Sequence, residues 1–351
     1  MKISVILPHV IRKPGGGTKI MYEFANQLHT LGHDVIVYNC IQTSPFKLSP
    51  FRLLLKRLYL LLFKHPGWYK FNKGIKSIII KEINNGDIND AEVIFFTGWS
   101  LTYDLQKLDN SKGQKFNLIQ DLEFWTGDKK MIIDSYLFKN IIKLTYSNHI
   151  KDYIGQLGEE VYKVSINVDR DFFKINMPIE SREKGSICMM YSTEERKGSK
   201  FGLEALLKLK EQNNNLTVHL FGTSIGPSNL PEGFHYYQTP QNLPYIMNSC
   251  SIFLTPSLWE GYGIPGIEAM HCGCAVVCSD AEGHMMYAKD NETAIVFKAG
   301  NTEYIIQALL KLLNNDSERI RIAKNGNRFI LNQKSWEDCA SELVEIFEQN
   351  V

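Results

Sequence analysis

No run of apolar residues in this 351-residue chain approaches the roughly 18 that a bilayer-crossing helix needs. The longest candidate, Phe51 to Phe63 (FRLLLKRLYLLLF), is interrupted by Arg52, Lys56 and Arg57, so an integral helical membrane protein is excluded. The apolar start ISVIL ends at Pro8-His9, too short for the h-region of a secretory leader, so the expectation is a protein without one and a cytoplasmic location. Neither sign of charge is in excess. The 39 Lys and Arg against 38 Asp and Glu leave a net charge of +1, which gives no global field to gather nucleic acid. Cysteine is sparse and odd in number, seven residues at 40, 188, 250, 272, 274, 278 and 339, a pattern of reduced thiols rather than of a disulfide framework. With 12 prolines, 25 glycines and 44% hydrophobic residues the composition is that of a folded globular protein. At roughly 100–200 residues per domain, two domains are expected.

The pattern that is present is α/β. Lys2 to Leu7 has strand length and β-branched content, Gly15-Gly16-Gly17 follows, and a helical period runs from about Thr18 to Leu31 before a second strand at Asp34 to Asn39. That βαβ opening implies a parallel sheet. Further strand-like runs stand at Val93 to Thr97, Phe116 to Gln120, Leu144 to Ser147 and Val161 to Ser165. Periodicity then fails over Asp169 to Gly185, and alternating strands and helices restart at Ser186. The expected division is therefore 1–168, 169–334 and a terminal helix over 335–351. In open sheets of this kind ligands bind at the carboxyl ends of strands.

The stretch richest in chemistry is Pro256 to Cys274, PSLWEGYGIPGIEAMHCGC. A strand at Ser251 to Thr255 ends in a loop with Glu260, Gly261 and Gly263, and Pro265 fits the first turn of a helix, where its missing N–H costs nothing. Free amides and the positive end of the helix dipole suit a diphosphate, and the glycines let it approach the backbone. Glu260 and Glu268 would accept hydrogen bonds from sugar hydroxyls. The run Gly261 to Gly266 also fits the dinucleotide fingerprint G-x-G-x-x-G with Glu282 downstream, so an NAD(P)-dependent oxidoreductase is an alternative. Against it, that fingerprint belongs in the first βα turn of its fold.

SLWEGYGIPGIEAMHCGCAVV resembles the signature of the retaining family-4 glycosyltransferases of the GT-B fold, two Rossmann-like domains facing across a cleft. The resemblance extends to GGGTKIMYEFANQL at the amino-terminal loop, Arg196-Lys197-Gly198 as the phosphate-binding segment, Asn167-Val168-Asp169 as the domain-closing turn, and a last helix from Ser335-Trp336. It implies that 1–168 binds the acceptor, that 169–334 binds the nucleotide-sugar and that the helix of 335–351 returns to the first domain. It further implies that Glu260 contacts the transferred sugar, Glu268 the ribose, and the backbone of Gly261, Tyr262, Gly263 and Ile264 the sugar and phosphates. Lys197 and Arg196 then carry the phosphate charge, and Gly16 and Gly17 complete the donor side. Two positions depart from the family. Tyr191 stands where an arginine is usual, leaving it a donor-binding residue without charge. Gln120-Asp121-Leu122-Glu123 replaces a common histidine and looks like the segment of rhamnan and related surface-polysaccharide transferases, which puts Asp121 and Glu123, with His9, on the acceptor or sugar side. The implied reaction is hexosyl transfer with retention, from a nucleotide-diphosphate-sugar to a glycan or lipid-linked acceptor, with neither metal nor resident cofactor. A catalytically silent GT-B scaffold subunit is the alternative from another class.

Other features read more plainly. Cys272, Cys274 and Cys278 lack paired zinc spacing and are expected to be buried thiols. Asp169-Arg170-Asp171 is read as a turn, and of the histidines only His9 and His284 adjoin the glycine loops. Between Ile41 and Asn85 nine basic residues (Lys47, Arg52, Lys56, Arg57, Lys64, Lys70, Lys73, Lys76 and Lys81) face one acid, Glu82. This stretch is either a basic amphipathic surface for an anionic membrane or a solvated helix whose leucines face the core.

Overall fold

The computed structural model describes residues 1–62 and 65–351; Phe63 and Lys64 of the basic stretch lie outside them. The chain forms two compact units, Met1–Asn167 with Lys334–Val351, and Val168–Gln333. Each boundary falls one residue before the expected position.

In the first unit, strands β1 (Lys2–Leu7), β2 (Asp34–Cys40), β3 (Lys76–Ile80), β4 (Val93–Phe96), β5 (Gln114–Leu118), β6 (Ile141–Thr145) and β7 (Val161–Lys163) form one sheet in the order β3-β2-β1-β4-β5-β6-β7. Every pairing is parallel. Helices α1 (Gly16–Thr30), α2 (Pro50–Leu61), α3 (Trp99–Leu105), α4 (Lys129–Tyr136) and α5 (Asn148–Gln156) connect the strands. The sheet is apolar on both faces, as a helix-covered parallel sheet must be: Val5, Ile6, Phe95, Phe96 and Phe116 have no exposed surface.

The second unit repeats the scheme with β8 (Ser186–Met190), β9 (Thr217–Gly222), β10 (Phe234–Gln238), β11 (Ile252–Thr255), β12 (Ala275–Ser279) and β13 (Ala294–Phe297), ordered β10-β9-β8-β11-β12-β13. Its helices are α6 (Ser199–Gln212), α7 (Leu243–Ser249), α8 (Ile264–His271), α9 (Thr302–Leu313) and α10 (Asp316–Leu331). Both sheets reverse their winding once, between β1 and β4 and between β8 and β11. Such reversals open a crevice at the carboxyl ends of the two strands, where this class of sheet holds ligands.

The last helix, α11 (Trp336–Glu348), belongs to the first unit. Its start is fixed by a capping box, in which Asp338 N–H donates to Ser335 Oγ at 3.1 Å and Ser335 N–H donates to Asp338 Oδ2 at 2.9 Å. Its apolar stripe enters the core: Phe347 lies 4.6 Å from Phe116 and Trp336 5.2 Å from Phe24, ring centre to ring centre. All seven cysteines are buried and free. Asp169 to Asp171 form a turn in which the Asp169 carboxylate accepts from the amides of Asp171 and Phe172.

Candidate functional site

In the second unit the loops after β8 and β11 meet at the winding reversal. After β8 the chain passes Tyr191, makes a 3-10 turn at Glu195–Lys197 and enters α6 through Gly198. Gly198 has φ +60°, and a Cβ there would stand 2.0 Å from the Pro256 carbonyl oxygen, so only glycine lets the two loops touch. The Arg196 carbonyl accepts from Leu258 N–H at 2.7 Å and locks them together. Lys197 is thereby aimed at the β11 loop, where its Nζ donates to Glu260 Oε1 at 2.7 Å. Ser257 Oγ donates to the same oxygen at 2.8 Å.

Both members of the pair are largely withdrawn from water, with side-chain exposures of 14% for Lys197 and 8% for Glu260. Burial by itself raises a carboxyl's pKa, but the charge of Lys197 with the hydrogen bonds from Lys197 and Ser257 holds Glu260 below its ordinary value. It is therefore ionised at neutral pH. A shelf from the chain after β12 supports the loop. His284 is fully buried, its Nδ1 is 3.0 Å from the Ser279 carbonyl oxygen and its Nε2 3.4 Å from Thr255 Oγ1. Burial lowers its pKa against the opposing pull of Glu260 and the Ser279 carbonyl, so the ring is neutral. Tyr287 O–H donates to the Gly263 carbonyl at 3.1 Å. Cβ atoms on Gly263, Gly266 and Gly283 would come within 2.5 Å of His284, 2.1 Å of the Tyr287 hydroxyl and 2.4 Å of the Glu260 carbonyl respectively. The glycines are thus required for packing as well as for ligand approach. Tyr262 and Ile264 are half-buried at the start of α8, and Glu268, on its second turn, is buried. Arg196 is turned to Glu194, at 2.7 Å.

The first unit builds a different kind of edge. Gln120, just past β5, donates through Nε2 to the Gly17 carbonyl and to Thr97 Oγ1, both at 3.0 Å, and accepts from Tyr146 O–H at 3.1 Å. One amide side chain thus ties together the ends of β4, β5 and β6 and the first turn of α1. Gly16 and Gly17 are exposed there. Glu123 has φ +54°, and its Oε2 accepts from Trp99 N–H at 3.3 Å; Asp121 accepts from Leu122 N–H at 2.8 Å. His9 is exposed at the carboxyl end of β1.

Residues 173–329 match the family described as Glycosyl transferases group 1. Over 335 residues, 86% of this chain and 82% of its relative, the sequence is 24% identical to the N,N'-diacetylbacillosaminyl-diphospho-undecaprenol alpha-1,3-N-acetylgalactosaminyltransferase of Campylobacter jejuni. It is 31% identical to the O-antigen chain mannosyltransferase B of Escherichia coli over 112 residues, 32% of this chain and 29% of that one. Among solved structures, Anabaena HepE in complex with UDP-glucose superposes with a TM-score of 0.75 at 13% identity, covering 99% of this chain and 100% of that one. The chain has the GT-B fold.

In this GT-B chain the second unit assembles Lys197, Glu260, the Gly261 to Ile264 loop and Glu268 around one reversal, while Gly16, Gly17, Asp121, Glu123 and His9 line the corresponding edge of the first. The G-x-G-x-x-G run lies after β11, not in the unit's first βα turn between β8 and α6, so the oxidoreductase alternative lacks its structural context. Three contributions went unread in the sequence: Gln120 as the tie of the first edge, Ser257 as a second donor to Glu260, and Tyr287 beneath Gly263. Each acts across a loop or between strands, and no spacing rule signals such contacts.

Proposed function

We propose that this protein transfers a hexosyl group from a nucleotide-diphosphate-sugar to a glycan or lipid-linked acceptor, with retention at the anomeric carbon, in the synthesis of a surface polysaccharide or glycoconjugate. The observation that carries the reading is the Lys197–Glu260 pair, largely withdrawn from water and held against a glycine-rich loop at the amino end of α8. Lys197, Arg196 and the loop amides supply positive potential for a diphosphate. Glu260 accepts from hydroxyls of the transferred sugar, Glu268 from the ribose, and Tyr191 packs beside the nucleotide. Gly16 and Gly17 of the first unit serve the donor, and His9, Asp121 and Glu123 the acceptor.

In the proposed step the bond between the anomeric carbon and the diphosphate oxygen breaks while the acceptor oxygen bonds the same face of that carbon. The acceptor's proton passes to the departing diphosphate. Neither a metal nor a resident cofactor is needed, because cationic side chains and amides meet the leaving charge. The Campylobacter relative is named for a polyprenyl-diphosphate-linked acceptor, which favours a lipid-linked substrate here and a peripheral position on an anionic inner membrane face. A thermal-shift screen of nucleotide-sugars tests the reading: a donor at 100 times its dissociation constant should stabilise the protein by about 2.7 kcal/mol. Absence of a shift with every nucleotide-sugar and nucleoside diphosphate would refute it.

A further inference from the structure

Helix α2 turns a row of apolar side chains to solvent. Phe51, Leu54, Leu55 and Leu58, with Leu62 at its end, are 70%, 55%, 49%, 51% and 77% exposed, while Leu53, Lys56 and Leu60 make up the half-buried side. At about 100° per residue the exposed apolar residues share one arc centred near Phe51. Arg52 and Arg57 flank that arc, one on each side, and Lys56 and Leu60 lie opposite. Lys56 Nζ donates to the Ile41 carbonyl at 3.2 Å on the inner side, and the Arg12 guanidinium stacks 4.6 Å above the ring of Tyr59 on one flank, so the helix is fastened with the apolar arc turned outward.

We infer that α2 is an in-plane membrane anchor, its Phe51, Leu54, Leu55, Leu58 and Leu62 arc entering the acyl boundary of an anionic bilayer while Arg52 and Arg57 hold its headgroups. This rests on the membrane-facing part of the function proposed above and assigns it to one element. The occupant follows from charge. No Asp or Glu occurs from Ile41 to Lys81, and the next acid, Glu82, is taken by Lys47, Lys81 and Gln42. Among the described residues no ion pair holds Arg52 or Arg57. Arginines on both margins of an apolar face match an interface whose headgroups are negative and whose interior is hydrocarbon. At about 1.5 Å per residue the 12 residues of α2 are too short to span the membrane and must lie along it. The helix follows β2 and so hangs from the same carboxyl edge of the sheet as His9, Gly16, Gly17 and Gln120. An acceptor embedded in the same bilayer would be offered to that edge.

Co-sedimentation of the full chain with vesicles of phosphatidylcholine alone, or of phosphatidylcholine and phosphatidylglycerol in equal parts, tests the inference. The wild type should prefer the anionic vesicles and bind less as salt rises. Leu54→Ser with Leu58→Ser should weaken binding about a hundredfold, and Arg52→Gln with Arg57→Gln roughly tenfold to thirtyfold. A Leu58→Trp variant should show blue-shifted emission on anionic vesicles. Because these side chains are exposed, thermal midpoints and nucleoside diphosphate affinity should stay at wild-type values. Vesicle binding unchanged by the leucine variant would overturn insertion while leaving a peripheral, charge-held protein standing. No binding of the wild type to either vesicle would overturn both, and a dimer that dissociates in the leucine variant would make a second copy the occupant. None of these results bears on donor turnover, which tests the transferase reading separately.

Discussion

The two units share a strand order and a single winding reversal, yet they equip the reversal in opposite ways. In the second unit a half-buried cation, a buried carboxylate, a neutral histidine and a tyrosine are locked together around glycines that admit no side chain. In the first, exposed glycines, a half-buried Asp121 and Glu123 and an exposed His9 are tied by a single glutamine, beside a helix that shows its apolar side to solvent. A preorganised charged site suits a diphosphate leaving group, whose charge must be met without rearrangement. An open polar edge suits an acceptor, whose identity can change without changing the chemistry.

Substitution at the buried pair should break the comparison hardest. Lys197→Met leaves the Glu260 carboxylate buried with Ser257 alone, and a loss of roughly 3–5 kcal/mol is expected, read as a lower denaturation midpoint. A loss below about 1 kcal/mol would mean that the pair is not preorganised.

Next in size, the two glutamates should separate. Glu260→Gln should lower turnover and nucleotide-sugar affinity while leaving nucleoside diphosphate binding near wild type, and Glu268→Gln should weaken the diphosphate itself, each by roughly 1.5–3 kcal/mol. Calorimetric titration of both variants checks this, and equal diphosphate losses would remove the assignment of roles.

A smaller effect concerns pH. The His284 pKa is lowered in the folded protein, chiefly by burial, so below about pH 6.5 the unfolded chain binds a proton that the folded chain resists. Stability should therefore fall as pH drops from 7 toward 5.5, by at most about 1.4 kcal/mol per pH unit. His284→Gln should flatten that slope in thermal melts. The depressed Glu260 adds stability that is lost only at lower pH, as its carboxylate protonates.

The smallest effect belongs to the first unit. A Cβ on Gly17 would meet Gln120 Oε1 at 3.2 Å, a contact that a side-chain shift relieves. Gly17→Ala should cost well under about 1 kcal/mol of stability and register only in donor kinetics, whereas Gly198→Ala should unfold the second site's loops. Similar melting losses in the two variants would erase the contrast.

Much of this was legible in sequence because it is local. The Lys2 to Asn39 βαβ unit and the segment from Ser251 to Ser279 announce themselves through β-branched runs, glycine and Pro265. Other strands were blurred by charge. β5 begins at Gln114 and β6 at Ile141, yet Lys115 and Lys143 made those starts look like loop. Both lysines are buried: Lys143 pairs with Glu159 at 2.7 Å and Lys115 donates to the Gly113 carbonyl at 3.3 Å. β3 lies inside the stretch whose lysines dominate its pattern, and β10 is an edge strand with polar alternation. Within the site the residue types were readable, but the Lys197–Glu260 contact spans 63 positions and depends on Gly198 touching Pro256. The side that α2 leaves uncovered was open between two readings in sequence, because periodicity marks an apolar face without saying what it meets.

The most direct measurement of the central claim is release of nucleoside diphosphate from nucleotide-sugars by the purified chain, with and without EDTA, compared with Glu260→Gln. The account predicts release from at least one donor, undiminished by EDTA and reduced about ten- to a hundredfold in the variant. Release that needs added magnesium or manganese would contradict the proposed charge stabilisation. Release equal in wild type and variant, or from no donor at all, would contradict the assignment of the second unit as the donor site.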